Sequence, residues 1–128
     1  GYALIEMIGE WNDALHNDIM FLKREIADVL LKEGICKFVF FCENILNFHS
    51  DDDDYYVEWY EDVRDEGGWI ALLNTRLHVD EELQTSRLFQ FLNFGEDYND
   101  IEWRNLKHHL VYQLVEATVN GQVRRLVG

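Results

Sequence analysis

The chain has 128 residues, with 11 Lys and Arg against 25 Asp and Glu, a formal net charge of -14 and a pI near 4.5. That length suits one domain that buries a core without disulfides or metal, and 48% apolar residues, 14% aromatic residues and no proline make a folding composition, not a disordered one. A surface this negative repels phosphate backbones and anionic lipid heads, so nucleic acid and membrane partners are disfavoured; if the charge is used, it draws cationic or basic partners.

The opening GYALIEMIGEWND has no basic n-region and no long apolar h-region, so no signal peptide is expected. The longest uninterrupted apolar runs, FVFFC at 38–42 among them, are far short of a membrane span. Residues 2–8 (YALIEMI) are short and apolar and stop at Gly9, which predicts a strand. Asn12 and Asp13 can cap the next element, a helix to Lys32 whose Ile19, Leu22, Ile26, Val29 and Leu30 fall on one core face. Gly34 ends that helix as a left-handed cap, with Ile35 placed to fold back on its last turn.

The near-continuous apolar run KFVFFCEN at 37–44 marks a strand buried on both faces, the centre of a parallel sheet. Cys36 and Cys42 lie in or beside it, about 20 Å apart when extended, too far to bridge. They read as reduced, buried thiols, which suits the cytoplasm.

The acidic stretch NFHSDDDDYYVEWYED (47–62) follows, and its Tyr56, Tyr60 and Val63, with Val57 alongside, give a helix with a narrow apolar stripe stopped by Gly67-Gly68. WIALLN (69–74) is another buried strand, and Val79-Asp80-Glu81-Glu82 is a capped helix start followed by Leu83, Leu88 and Phe89. FLNF (91–94) reads as a short strand. Asp100 is expected to cap the last helix, with Ile101, Leu106, Leu110, Leu114 and Val115 on its apolar side, and NGQVRRLV is ambiguous between a turn plus strand and a fraying tail. Strands alternating with helices over short connections predict an α/β layer fold with a largely parallel sheet.

The order of these features resembles the STAS domains, the family of anti-sigma-factor antagonists and of sulfate-transporter tails. IEMIGEWND is similar to the family's strand-then-GELD opening, and GICKFVFFCENILNFHSDD to its buried strand running into the phospho-acceptor loop DSSG. EGGWIALLN resembles the family's GG before a hydrophobic strand, and HVDEELQTSRLFQFLNF its next helix and closing strand, so the likeness covers about residues 5–94. It implies a small mixed, largely parallel sheet with helices mainly on one face, here with a long C-terminal helix. It also implies a non-enzymatic regulatory or protein-interaction domain, cytoplasmic, with no cofactor. The acceptor loop departs from the family in two ways: FHSDDDD has no glycine, and Asp51 or Asp52 stands where the acceptor hydroxyl would be. The family's extra opening strand also has little chain before Tyr2 to supply it, and the last helix is longer than the family core needs. Ser50 is the hydroxyl near that position and the candidate for phosphorylation.

Carboxylates at a helix start are stabilised by about 0.3–1 kcal/mol each when exposed, so Ser50 or Asp51 as N-cap with acids in the first turn needs no ligand. The same fixed charge rules out a phosphate-binding loop. The sharper reading makes this corner a docking face of Phe48, His49, Ser50, Asp51, Asp52, Asp53, Asp54, Tyr55 and Trp59, with Tyr55 and Trp59 as an aromatic patch inside an acidic rim. Its partner would be a protein, either a kinase or anti-sigma-like regulator or simply a basic surface.

Metal is not expected. His108 and His109 are adjacent on a helix and diverge, no HExxH or CxxC occurs, and a calcium loop would lack its turning glycine. His49 beside Ser50 has triad residue types without a nucleophile elbow. The alternative from another class is a small-molecule-binding protein or small enzyme using the carboxyl ends of the strands, through Glu43, Asn44, Asn74 and Arg76. A homodimer subunit whose acidic face only meets solvent is a third possibility.

Overall fold

The computed structural model describes residues 1–12, 22–49, 54–85 and 90–127, with side chains described at 1–7, 22–45, 56–85 and 90–121. Asp13, Ile19, Ser50 to Asp53, Leu88 and Phe89, each given a role above, lie outside the described residues. The described chain is mixed α/β. Strand β1 (Tyr2–Asn12) leads to a π-helix (Leu22–Ala27) that runs into an α-helix (Asp28–Lys32), together α1. Strand β2 (Lys37–His49), helix α2 (Asp54–Asp65), strand β3 (Trp69–Leu73) and helix α3 (Leu77–Thr85) follow. Short 3-10 turns at Glu96–Tyr98 and Trp103–Asn105 precede the last helix, α4 (His108–Val127). Among the described residues no helix is long and apolar enough to cross a membrane.

The strands are parallel and lie in chain order β1-β2-β3, so β2 is central as its unbroken apolar run requires. Side chains alternate along it: Phe38, Phe40 and Cys42 enter one core, Val39 and Phe41 the other. Strands added in sequence with a constant crossover hand put the crossover helices on one face. Leu22 and Ala27 of α1, Tyr56, Trp59 and Val63 of α2, and Val79 and Leu83 of α3 all pack into the core of that face. The second face is covered by Val111 and Val115 of α4 together with Tyr98, Ile101 and Trp103.

The expected strand at 91–94 is reduced to a single parallel bridge, Ala71 with Asn93. Asn93 N–H donates to the Ile70 carbonyl at 2.9 Å and its carbonyl accepts from Leu72 N–H at 2.8 Å. Gly9 does not end β1. Pairing with β2 continues to Asn12 opposite His49, with register shifts between Glu6 and Ile8 and between Gly9 and Glu10, so Gly9 sits at a bulge, and Asn12 is a strand residue instead of a cap.

Two glycine turns carry the chain from helix to strand by the same device. Gly34 (φ 84°) donates to Leu31 O at 3.0 Å while Ile35 donates to Leu30 O at 3.0 Å, a Schellman cap with Ile35 returned onto the helix as expected. Gly67 (φ 77°) and Gly68 repeat it on Arg64 O at 2.9 Å and Val63 O at 2.8 Å. Gly68 is fixed by space as well: a Cβ there would lie 1.8 Å from the Cys36 carbonyl oxygen.

Three expected helix faces need correction. Val29 is 52% exposed, while Ala27 and Leu31 pack on the core. The wider π turn inserts a residue ahead of the α-helical part and rotates the apolar stripe past Val29. Helix α3 begins at Leu77, before the expected start, and Asp80 is buried within it instead of capping it. Helix α4 begins at His108, so Asp100 (φ 60°) belongs to a turn well before it. In α4 the valines Val111 and Val115 are buried, whereas Leu110 and Leu114, and Leu106 just before the helix, are 38–43% exposed. The sheet face under α4 is already filled by Phe41, Trp103 and Tyr98, and short valines allow the close approach that leucines would block. The NGQVRRLV stretch is neither strand nor turn but the end of this helix.

Candidate functional site

The carboxyl ends of the strands bring together four residues singled out from the sequence. Glu43 and Asn44 lie on β2 where β3 stops, and Asn74 and Arg76 follow β3 directly. Asn74 has φ 58°, a left-handed conformation that asparagine tolerates, and this aims the chain across the strand ends. Its side chain then makes a reciprocal pair with the distant loop: Nδ2 donates to Ile101 O and Oδ1 accepts from Ile101 N–H, both at 2.8 Å.

Glu43 is the hub of this end. Its Oε1 accepts from Trp103 Nε1 at 3.0 Å and from Arg104 Nη1, and its backbone carbonyl accepts from Arg76 Nε at 3.1 Å. Arg104 also donates through Nη2 to Glu6 Oε2 at 2.9 Å, which accepts from Asn44 Nδ2 at 3.2 Å. The Trp103 indole lies flat on Phe41 (centroids 3.9 Å apart, 18° between planes), and the Arg104 guanidinium sits 4.3 Å from the Trp103 ring centroid. A neighbouring knot joins Thr75, Asp80 and Asn99: Asp80 accepts from the Thr75 hydroxyl and from Asn99 Nδ2 at 3.1 Å, while Thr75 N–H donates to Asn99 Oδ1 at 3.1 Å. These bonds stitch the irregular segment 95–107 onto the sheet. The Asn74, Thr75, Asp80 and Asn99 groups that lose water beneath it find protein partners instead.

Clefts flank the knot. One of about 400 Å³ runs between Glu43, Asn74, Asn99 and Asp100, and one of about 450 Å³ opens on the second face between β1 and the start of α4. Among the described residues, no three His, Cys, Asp or Glu side chains converge on a metal position. Cys36 and Cys42 are free thiols, Cys36 only half-buried. Burial, and secondarily the charge of Asp80, pushes the Cys42 thiol up to about 12, so it stays protonated and unreactive.

The acidic corner is distributed differently. Phe48 and His49 close β2 and Asp54 and Tyr55 open α2, so the chain between them, Ser50 to Asp53, joins the central strand to the acidic helix. Trp59 is not part of a surface patch. It is 2% exposed and edge-on to Phe38 and Phe40 at 5.3 Å each, so the sheet covers it. Trp59 replaces Tyr60 in the centre of the stripe, and Tyr60 moves to its flank against Phe91.

Two acids of α2 have an internal role. Lys23 is only 2% exposed, lies between α1 and α2, and pairs with Asp28, with Asp62 at 3.1 Å and with Glu58 at 3.4 Å. Burial alone would lower its pKa, but the hydrogen bonds to Asp28 and Asp62 outweigh this and the net direction is upward.

Glu6, Trp103 and Arg104 were not singled out from the sequence. The one signal for Glu6 was a lone charge inside an otherwise apolar strand; Trp103 and Arg104 sit in a stretch with no periodicity. The chain matches no model of a known protein family, and no curated protein is significantly similar to it.

Proposed function

We propose that the chain is a STAS-like regulatory domain of the cytoplasm, non-enzymatic, which docks a protein partner of positive surface charge on its acidic corner. The observation that carries this reading is the acidic face of α2, where Glu58, Glu61, Asp62 and Asp65 are all exposed. In the sequence the four aspartates 51–54 run directly into this helix. Parallel strands with crossover helices on one face support this reading, while the mixed sheet that the resemblance implies has no antiparallel strand among the described residues. With a net charge of -14, encounter with a basic surface is steered and salt-sensitive. Ser50, which precedes the aspartates in the sequence, is the residue through which phosphorylation would add charge beside them.

Affinity capture at low and high salt, with wild type beside Asp51–Asp54→Asn and Ser50→Ala, tests this reading. A basic protein retained by the wild type at low salt, and lost with either salt or the asparagines, is the expected result. Equal retention by wild type and the asparagine variant, with both folded by circular dichroism, contradicts it.

A further inference from the structure

We infer that the second-face cleft between β1 and α4 is a binding site for a small organic cation that carries a flat ring, an arylalkyl ammonium in chemical class; this is separate from the docking reading above and does not depend on it. Tyr2, Leu4 and Glu6 alternate along β1 and so share one face of the strand, which lies at the sheet edge and is open to solvent on that side. With Phe41, Trp103 and His108 they line a space of about 450 Å³, within the range of small-molecule pockets.

The walls are rigid aromatic surfaces. Tyr2 stacks on Tyr112 (4.1 Å, 6° between planes), and Phe41 and Trp103, which both line the cleft, stack on each other (3.9 Å, 18°). Tyr112 is anchored in turn by Lys37 at 3.2 Å and by Glu116. Pre-set walls of this kind bind a planar group without first having to be ordered.

The charge of the cleft selects the ligand. Both hydrogen bonds made by the Glu6 carboxylate fall on Oε2, from Arg104 and Asn44; Oε1 has no hydrogen-bond partner among the described residues. Arg104 is shared between Glu6 and Glu43, so the trio carries one net negative charge. The start of α4 at His108 opposes this with the positive end of its dipole, equivalent to about half a charge. The carboxylate wins, and the net charge of the chain adds to it. Trp103 already carries Phe41 on one side and the Arg104 guanidinium over its ring, so the cation–π attraction open to an ammonium here is that of the Tyr2 ring, whereas an anion meets Glu6.

Three probes that share one ring but differ in charge test the inference: 2-phenylethylamine, 2-phenylethanol and phenylacetate, titrated by calorimetry and by the indole N–H resonance of Trp103, which is assigned with Trp103→Phe. The amine is expected to bind about tenfold more tightly than the alcohol, to shift the Trp103 resonance, and to fall to the affinity of the alcohol in Glu6→Gln. Phenylacetate binding tightest, amine and alcohol binding equally to the wild type, or no probe moving the Trp103 resonance would each overturn it.

Discussion

On one face of the sheet Trp59, Val63, Val79 and Leu83 meet Phe38, Phe40 and Ile70 as apolar surface against apolar surface, with three helices taking part. On the other face Phe41 carries Trp103, whose neighbour Arg104 is held by two carboxylates, and the covering helix leaves Leu110 and Leu114 in solvent. The first cover is made by crossover helices that the strand order itself places there. The second is a separate segment, 95–127, laid across afterwards and tied down by hydrogen bonds between residues far apart in sequence. In the first region burial does the work; in the second, polar stitching fixes position, and the side chains left half-exposed are the ones free to meet a ligand.

The largest expected effect is at the junction of the first face. Gly68→Ala places a methyl group 1.8 Å from the Cys36 carbonyl oxygen, backbone that cannot yield without moving the start of β2. A loss of about 3 kcal/mol or more in urea unfolding is expected. Next comes Trp59→Ala, which opens a void among Phe38, Phe40 and the α2 stripe and should cost about 3–5 kcal/mol. On the second face, Trp103→Ala removes a half-buried ring and one hydrogen bond, with an expected loss of about 1–3 kcal/mol in the same measurement. A Trp103 loss equal to that of Trp59 would erase the proposed contrast between the faces.

Lys23→Met should change stability by only about 1 kcal/mol in either direction. The three carboxylates it leaves behind are 32–50% exposed at their side chains and can regain water, while the methionine stays in the space between α1 and α2. Smallest is the tie of α4 to β2. The hydrogen bond from Lys37 holds the Glu116 carboxyl below its ordinary value of 4.5. A lowered acid stabilises above its unfolded pKa and loses that contribution as pH falls through its folded pKa. Glu116→Gln should therefore lower the melting temperature slightly at neutral pH, and the gap to wild type should close as pH falls below 4.5.

What could be read from the sequence follows the same division. FVFFC marked the central strand because a two-sided burial leaves no polar alternation, and Gly34 marked a cap because the chemistry of that turn is local. Positions 59 and 60 of α2 both fit an apolar stripe with 56 and 63; only the Phe38–Phe40 pair on the sheet decides that the indole goes inside. The leucine and valine rows of α4 were equally periodic, and the filled sheet beneath chose the valines. Glu43, Asn44, Asn74 and Arg76 were legible as strand-end residues because their place follows from the parallel order. Their partners were not: the Glu6–Arg104 pair spans 98 positions, and no local pattern encodes such a contact.

The measurement that bears most directly on this two-part construction is amide hydrogen exchange, read peptide by peptide in wild type and in Arg104→Ala. Strongest protection is expected at 38–42 and 70–73 in both proteins, with faster exchange at 95–107 in wild type and a further rise confined to that segment in the variant. A variant in which 38–42 and 70–73 lose protection together with 95–107 would contradict it, since segment and sheet would then open as one unit.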